Sequence, residues 1–499
     1  MAITVQRVFR NTIVMMVSTV LSMVLGYVFR LLIARNYSTE TFGLFYATIG
    51  FFGLFGVFQS LGLDSALIKR IAEAVAKGDE KRIPGLVRTV FLFQTISVLL
   101  IGGVLFALAP LIASTVLHVP AAVTVVRLAA LYFIVTPFCN IFLSILQGHQ
   151  EMVSYSLWML ARFAVFVLFF MLLMPFAPGA NAPMIAYAAG TFAIAFPLAY
   201  YVRKKFPGSF SLTGKSEPSE VRSLVTYGTS ILAGTIAGTI LGSTDTTMIA
   251  YLSSVKEVAL YSASAPLIQA VGALAGVMNI IFLPLSSEMH ARSAEKSLAQ
   301  GLATVQVYLV ALLLPFLLLI IAFPGIFLNA LFGPEYIPGS AILRVLALSG
   351  LFASFAAILS TVLNGIGHPQ KSLKIVVAMM LLNIVINALL IPSMGALGAA
   401  IATLIVSIGL YGLSTRILKR LIPYSFPWRR FAGIVFGAAV FVATFMIIKP
   451  LISFSPVVEF LLIAIPATAL YAAVIFATRT FTREDVQFVS GLVKETVKT

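Results

Sequence analysis

Fourteen predominantly apolar stretches divide this chain of 499 residues. Each is near or above the ~20 residues that a helix needs to cross a hydrocarbon layer ~30 Å thick. They run at about 11–34, 42–66, 87–111, 121–146, 153–175, 183–202, 224–252, 257–286, 298–323, 341–364, 373–391, 395–415, 430–450 and 457–478. Composition leaves no competing architecture. The chain is 60% hydrophobic and 10% charged, whereas a soluble protein carries about 25% charge. The expected fold class is therefore all-α integral membrane, with 14 transmembrane helices. A soluble enzyme, a disordered chain and a disulfide scaffold are excluded, and the single Cys139 offers neither a disulfide nor a thiolate metal site. The first run is too long for a signal peptide and lacks a small-residue cleavage site, so it reads as a retained helix.

Orientation follows from the basic residues, which are retained on the cytoplasmic side. With the N-terminus inside and the runs alternating, 25 of the 33 Lys and Arg residues fall on inner segments and three (Arg35, Lys256 and Lys449) on outer loops. That asymmetry places both termini in the cytoplasm and the chain in the cell (cytoplasmic) membrane as a multi-pass protein. It also absorbs most of the net charge of +16, which removes the reason to expect nucleic acid as a partner. The remaining five basic residues are Arg30, Arg88, Arg127, Arg162 and Arg344. Arg88 opens the third run, where it can snorkel into headgroups; the other four lie within spans.

The chain also repeats itself. At an offset of 217, Arg127-Leu-Ala-Ala-Leu…Leu146-Gln-Gly148 falls on Arg344-Val-Leu-Ala-Leu…Leu363-Asn-Gly365. At an offset of 216, Phe42-Gly-Leu-Phe-Tyr-Ala-Thr48 falls on Val258-Ala-Leu-Tyr-Ser-Ala-Ser264. The offset covers six runs, an even number, so the copies share one orientation, as in transporters built from parallel repeats. The expected organisation is an N-lobe at 1–202, a cytoplasmic linker at 203–223, a C-lobe at 224–418, an appended helix pair at 419–480 and a cytoplasmic tail at 481–499.

An ionisable residue inside a span usually faces a cavity or a partner. Besides the four arginines, Asp245 is embedded in the polar run Ser243-Thr-Asp-Thr-Thr247, while Asp64 and Glu459 lie near helix ends, within reach of headgroup water. The embedded charge is then positive, and such a cleft attracts anions, phosphate above all because guanidinium matches it as a planar fork. Each arginine also has a plainer reading. Arg30 is placed to snorkel to outer headgroups, or to pair with Asp245 as a static bridge or a gate. Arg127 and Arg344 are as suited to bonding lobe carbonyls as to touching a ligand. Arg162, nearest mid-membrane, fits a cavity best. The repeated G-x-x-x-G at Gly234, Gly238 and Gly242, and the pairs Gly272/Gly276 and Gly433/Gly437, read as close helix packing. The four histidines show no ligand spacing, so no metal is expected, and no P-loop or nucleophile motif is present.

Three segments then resemble a known family: Arg30-Leu-Leu-Ile-Ala-Arg35-Asn-Tyr-Ser-Thr-Glu-Thr-Phe-Gly-Leu-Phe45, Gly62-Leu-Asp-Ser-Ala-Leu-Ile-Lys-Arg70, and Asp245 followed by Leu260-Tyr-Ser262. They are similar to the polysaccharide-type (oligosaccharide or O-antigen) flippases of the multidrug/oligosaccharidyl-lipid/polysaccharide exporter superfamily. The resemblance implies a two-lobed, alternating-access transporter that is not an enzyme. A cationic central cavity would accept the phosphate or diphosphate and sugars of a polyprenyl-linked oligosaccharide, leaving the tail in the lipid bilayer. Arg30, Arg127, Arg162, Arg344 and Asp245 are the candidate substrate-binding residues, with Tyr27, Tyr46 and Tyr132 as aromatic faces for sugar rings. A polymerase and glycosyltransferases would be pathway partners. No cofactor is called for, and the coupling source (Na+, H+ or membrane potential) stays open. The alternatives are a lipid II flippase, a multidrug/cation antiporter of the same superfamily, and a membrane glycosyltransferase or polymerase. The first lacks here its arginine-rich motif in helices 1 and 8. The second needs N-lobe carboxylates where this chain has arginines. The third needs a carboxylate base or large loops, and the loops here span only about 20 residues.

Overall fold

With no water in the hydrocarbon to satisfy peptide groups, a spanning segment must close its own backbone hydrogen bonds, and this chain does so with helices throughout. The computed structural model describes residues 5–176, 179–209, 218–452, 454–478 and 480. Residues 210–217 of the expected linker and the expected tail 481–499 lie outside the described residues. The long helices are α1 (Val5–Asn36), α2 (Thr39–Leu54), α3 (Leu63–Lys77), α4 (Ile83–Ala107), α5 (Val123–Gly148), α6 (Met152–Leu173), α7 (Asn181–Lys205) and α8 (Pro218–Leu252). They continue with α9 (Val255–Ala291), α10 (Glu295–Ala322), α11 (Ser340–Gly365), α12 (Pro369–Met394), α13 (Ala396–Leu418), α14 (Trp428–Ile448) and α15 (Pro456–Ala477). Among the described residues there is no strand. Eleven helices are long and apolar enough to cross a membrane, and a twelfth crossing is a broken pair, Thr39–Leu54 with Gly56–Lys77, bent by 51°. The seventh and eighth expected runs coincide with α8 and α9, of 35 and 37 residues. On the described residues the count is therefore eleven, or twelve with the bent pair as one span; the expected fourteen is not confirmed.

The second run, expected as one helix, is broken. Leu61 and Gly62 both take left-handed backbone, at φ of 51° and 73°, ending one helical piece and starting α3 in a new direction. Neighbours satisfy the interruption: Ser97 of α4 donates to the Phe58 carbonyl at 2.5 Å, and Gln59 donates to the Phe133 carbonyl of α5 at 2.8 Å. Gly62 is required twice over. Its φ disfavours a side chain, and a Cβ there would stand 2.4 Å from the Gly228 carbonyl oxygen of α8.

The chain forms two compact units, 1–259 and 260–499, and the same contacts recur in each at the offsets read from the sequence. Thr48 donates to the Leu44 carbonyl at 2.7 Å, and Ser264 to the Leu260 carbonyl at 2.9 Å. Thr191 donates to Tyr187 and Ser407 to Thr403, both at 2.7 Å. The Phe45 ring packs 5.3 Å from Tyr187, and the corresponding Tyr261 hydroxyl lies 3.5 Å from Thr403. Gly148 at the end of α5 abuts Ile71 and the Ile68 carbonyl; Gly365 at the end of α11 abuts Ser286 and the Leu283 carbonyl. In the second unit, α14 and α15 pack on α10 and α11 through Val310, Phe355, Phe441 and Ile475, with Tyr471 donating to the Ala311 carbonyl at 3.1 Å.

Lipid tails are as apolar as leucine, so helices here associate through close packing and hydrogen bonds rather than water exclusion. The residues that permit close approach are not all those expected. A Cβ at Gly234, Gly238, Gly242, Gly272 or Gly276 would meet no described atom within 4 Å, whereas Gly437 lies against Tyr471 and Gly433 against Thr478 and Thr480. The tightest seam instead joins α2 to the last turns of α8 and the first of α9. There Gly43 faces the Val255 carbonyl (Cβ 1.8 Å), Gly50 faces Thr246 (2.2 Å) and Gly53 faces Ser243 (2.6 Å).

Just past the end of α5, His149 fixes the segment that follows α7. Its Nε2 lies 2.9 Å from the Ser209 hydroxyl, its ring stacks on Phe206 at 3.9 Å, and Lys205 pairs with Glu151 at 2.7 Å. Burial holds the imidazole below its ordinary pKa of 6.5, against the opposing pull of Glu80 and Glu151. A His with a depressed folded pKa contributes stability that is complete above its unfolded value and is lost as pH falls through ~6.5. The protection factors at 206–209, corrected for intrinsic exchange, should therefore fall between about pH 7 and 5, and His149→Phe should remove that dependence. Two glycine classes should also separate by sign in thermal unfolding. Gly148→Ala and Gly365→Ala should destabilise by about 1–3 kcal/mol, while Gly234→Ala should be neutral or stabilise by up to ~1 kcal/mol.

Candidate functional site

In the first unit, α1, α2, α5, α6 and α7 bring two of the four embedded arginines into one aromatic cluster. Arg30 of α1 lays its guanidinium over the Tyr46 ring of α2, 4.1 Å from the centroid. Arg162 of α6 donates to the Asn140 side-chain oxygen of α5 at 3.4 Å and lies 5.6 Å from the Phe166 ring. Between them stands Tyr187 of α7, whose ring centroid is 4.9 Å from Phe29, 5.3 Å from Tyr132 and 4.6 Å from Phe166. Its hydroxyl interacts electrostatically with Arg30, Arg162, Tyr46 and Tyr132. Both arginines and the three tyrosines are half-buried.

Local sequence explains why these groups meet. Tyr46 shares a face of α2 with Gly43, Gly50 and Gly53, so the seam with α8 sets its position. Tyr187 sits in Ala186-Tyr187-Ala188-Ala189-Gly190, where small neighbours leave room for one large ring, and a Cβ at Gly190 would stand 2.8 Å from Phe166. Guanidinium over an aromatic face is held by the ring quadrupole and keeps its N–H donors for another partner. The cluster thus offers two fixed cations, three phenol hydroxyls and several ring faces. That set is suited to an oxygen-rich anion that carries flat polar rings.

The other candidates lie elsewhere. Arg127 is exposed beside Phe106, 5.4 Å from that ring, and the exposed Leu131 follows one turn along α5. Arg344 of the second unit is likewise exposed, with the exposed Leu348 one turn on, and its Nε donates to the Ile321 carbonyl at 3.1 Å in the last turn of α10. These two repeat-mates share a setting against the ends of α4 and α10, and Arg344 satisfies a carbonyl that a helix end leaves open. The structure does not gather them with Arg30 and Arg162. Asp245 is 7% exposed. Its neighbours Ser243, Thr246 and Thr247 face α2, and helical geometry turns Asp245 to another side of α8. Of the three tyrosines suggested by sequence, Tyr46 and Tyr132 belong to the cluster. Tyr187 was missed, and its signal was the small-residue setting.

The cluster also belongs to one repeat only. Arg30, Tyr46, Tyr132 and Tyr187 correspond to Thr246, Ser262, Ser349 and Thr403 at the offsets above. Among the described residues, no group of three or more His, Cys, Asp or Glu is placed to hold a metal ion.

Comparison with known proteins agrees with this architecture. The family described as "Polysaccharide biosynthesis protein" matches residues 8–290, more than half of the chain, and the MatE family matches residues 231–389. Two similar relatives are membrane proteins of Methanocaldococcus jannaschii. MJ1068 is 26% identical over 86% of this chain and 87% of its own length, and MJ1375 is 25% identical over 81% and 95%. Among solved structures, the lipid II flippase MurJ in an inward closed conformation superposes with a TM-score of 0.74 at 15% identity, covering 93% of this chain and 99% of that one. An inward-facing multidrug resistance MATE family transporter gives 0.67 at 14% identity, covering 80% and 95%. The chain therefore belongs to the polysaccharide biosynthesis protein family, within the multidrug/oligosaccharidyl-lipid/polysaccharide exporter superfamily of multi-pass membrane transporters.

Proposed function

We propose that this protein is a flippase that carries a polyprenyl-(di)phosphate-linked oligosaccharide from the cytoplasmic to the outer leaflet by alternating access, for cell-surface polysaccharide or glycan assembly. The observation that carries this reading is the gathering of Arg30 and Arg162 around Tyr187 and Tyr46 inside the membrane-spanning part of the first unit. A charged headgroup in hydrocarbon loses its hydration. Two guanidinium forks replace part of that shell for phosphate oxygens, and the aromatic faces suit sugar rings. The family match supports a role in polysaccharide synthesis, and the fold shared with a lipid II flippase supports a lipid-linked cargo. A cationic cargo would meet like charge at the same cluster, which disfavours cation antiport. The strong excess of basic residues on one set of loops supports cytoplasmic termini, and glycosyltransferases and a polymerase would act before and after the flipping step.

In a host whose surface polysaccharide depends on this protein, Arg162→Ala and Arg30→Ala should each reduce export by about tenfold or more, with protein levels preserved. Arg30→Lys should retain only part of the activity, because an ammonium keeps the charge but loses the planar fork. Normal export by Arg162→Ala would overturn the assignment of this cluster. The two peripheral arginines should behave differently. Arg344→Leu should lower thermal stability by about 1–3 kcal/mol with export per folded molecule unchanged, and Arg127→Leu should leave both near wild type.

A further inference from the structure

The broken second span carries a carboxylate that the proposed site does not use. Asp64 follows the left-handed Leu61–Gly62 pair and opens α3. It is half-buried, and its Oδ1 accepts from the Gln94 side-chain nitrogen at 2.7 Å. Gln94 lies eleven residues into α4, about 16 Å along the axis from Ile83, and is 0% exposed. Among the described residues its other amide atom, Oε1, is buried with no hydrogen-bond partner. A buried carbonyl oxygen left open requires an explanation, and the chemistry of its neighbour supplies one.

An ionised carboxylate only accepts, so it can engage the Gln94 N–H but never the Gln94 oxygen. A protonated carboxyl does both. If one proton from the aqueous phase binds at Asp64 Oδ2, the new O–H donates to Gln94 Oε1 while Oδ1 continues to accept from Nε2. Acid and amide then close a ring of two hydrogen bonds, and the open oxygen is satisfied without any other group moving. We propose that Asp64 and Gln94 form a proton-binding site at the break of the second span. The charged residues on the elements packed against α3 are Glu80, Lys81 and Arg82 of the turn before α4, Arg88 on α4, Arg127 on α5, and Glu220, Arg222 and Asp245 on α8. None of them contributes to the electrostatic surroundings of Asp64, where burial and Gln94 alone act. Neutralisation there therefore removes a charge that no described cation balances. It does so two residues from Gly62, whose backbone seats directly on α8.

The assignment is independent of the cargo, so its test needs none. The full chain, reconstituted in bilayers of zwitterionic lipid, is titrated by infrared difference spectroscopy in the carboxylic C=O region. A band that appears reversibly as pH falls, and that is absent in Asp64→Asn, is the expected result. Asp64→Asn is nearly isosteric with the protonated acid and should retain the fold. Gln94→Leu should keep the band but move it to higher frequency, because the C=O loses its N–H donor. A titrating band unchanged in Asp64→Asn, or one insensitive to Gln94→Leu, would overturn the site. A midpoint that shifts when sodium replaces potassium at constant ionic strength would overturn the proton in favour of sodium.

Discussion

The hydrocarbon layer supplies no hydrogen bonds, and almost every feature of this molecule answers that one deficit. Backbone groups close upon themselves in helices. Hydroxyls such as those of Thr48, Thr191, Ser264 and Ser407 fold back onto carbonyls one turn earlier. Where the second span breaks, Ser97 of α4 donates to the Phe58 carbonyl, and Gln59 beside the break donates to a carbonyl of α5. Association cannot rely on expelling water, so backbones approach wherever glycine removes the obstacle. A polar group left within this medium is conspicuous because its environment cannot conceal it. The Arg30–Arg162–Tyr187 cluster stands out for this reason rather than for its size.

The large features were legible in the sequence because they rest on length and period. The apolar runs coincide with the helices, and the repeat read from Arg127/Arg344 and Phe45/Tyr261 returns as matched contacts in the two units. The site was legible only in part. A search by charge finds every embedded arginine, but it cannot distinguish a guanidinium resting on a tyrosine from one bonded to a helix end. Arg162 and Arg344 look alike in sequence; the difference is which helix lies alongside. The same search passes over neutral amides, so Gln94 carried no signal although it is bonded to Asp64. The glycine motifs were legible in part: Gly433 and Gly437 pack closely, whereas a Cβ at Gly234, Gly238 or Gly242 would meet no described atom within 4 Å. Spacing shows that a smooth face exists, but not that a helix lies on it, and the closest packing uses Gly43, Gly50 and Gly53 at intervals of seven and three.

The two repeats share a scaffold but not a chemistry. Thr246, Ser262, Ser349 and Thr403 occupy the positions at which the first copy carries Arg30, Tyr46, Tyr132 and Tyr187. Duplication explains the common helix order and the paired contacts at Gly148 and Gly365. The arginine and the large phenols belong to one copy alone. Internal symmetry is thus kept where packing demands it and absent where ligand chemistry is proposed.

The seam of the broken second span with α8 and α9 has a further consequence. Where Gly43 of α2 rests on the Val255 carbonyl of α9 and Gly62 of the break on that of Gly228 in α8, backbone meets backbone with no side chain between. The spacing of the elements at those two points is set by covalent dimensions rather than by a choice of rotamers. Such a joint behaves as a gauge: it cannot be retuned by repacking, only broken. Tyr46 projects from that same strip of α2 and carries Arg30 on its ring. The cation is thereby referenced to a fixed length, and evolution can alter what it grips only by changing the residues around it.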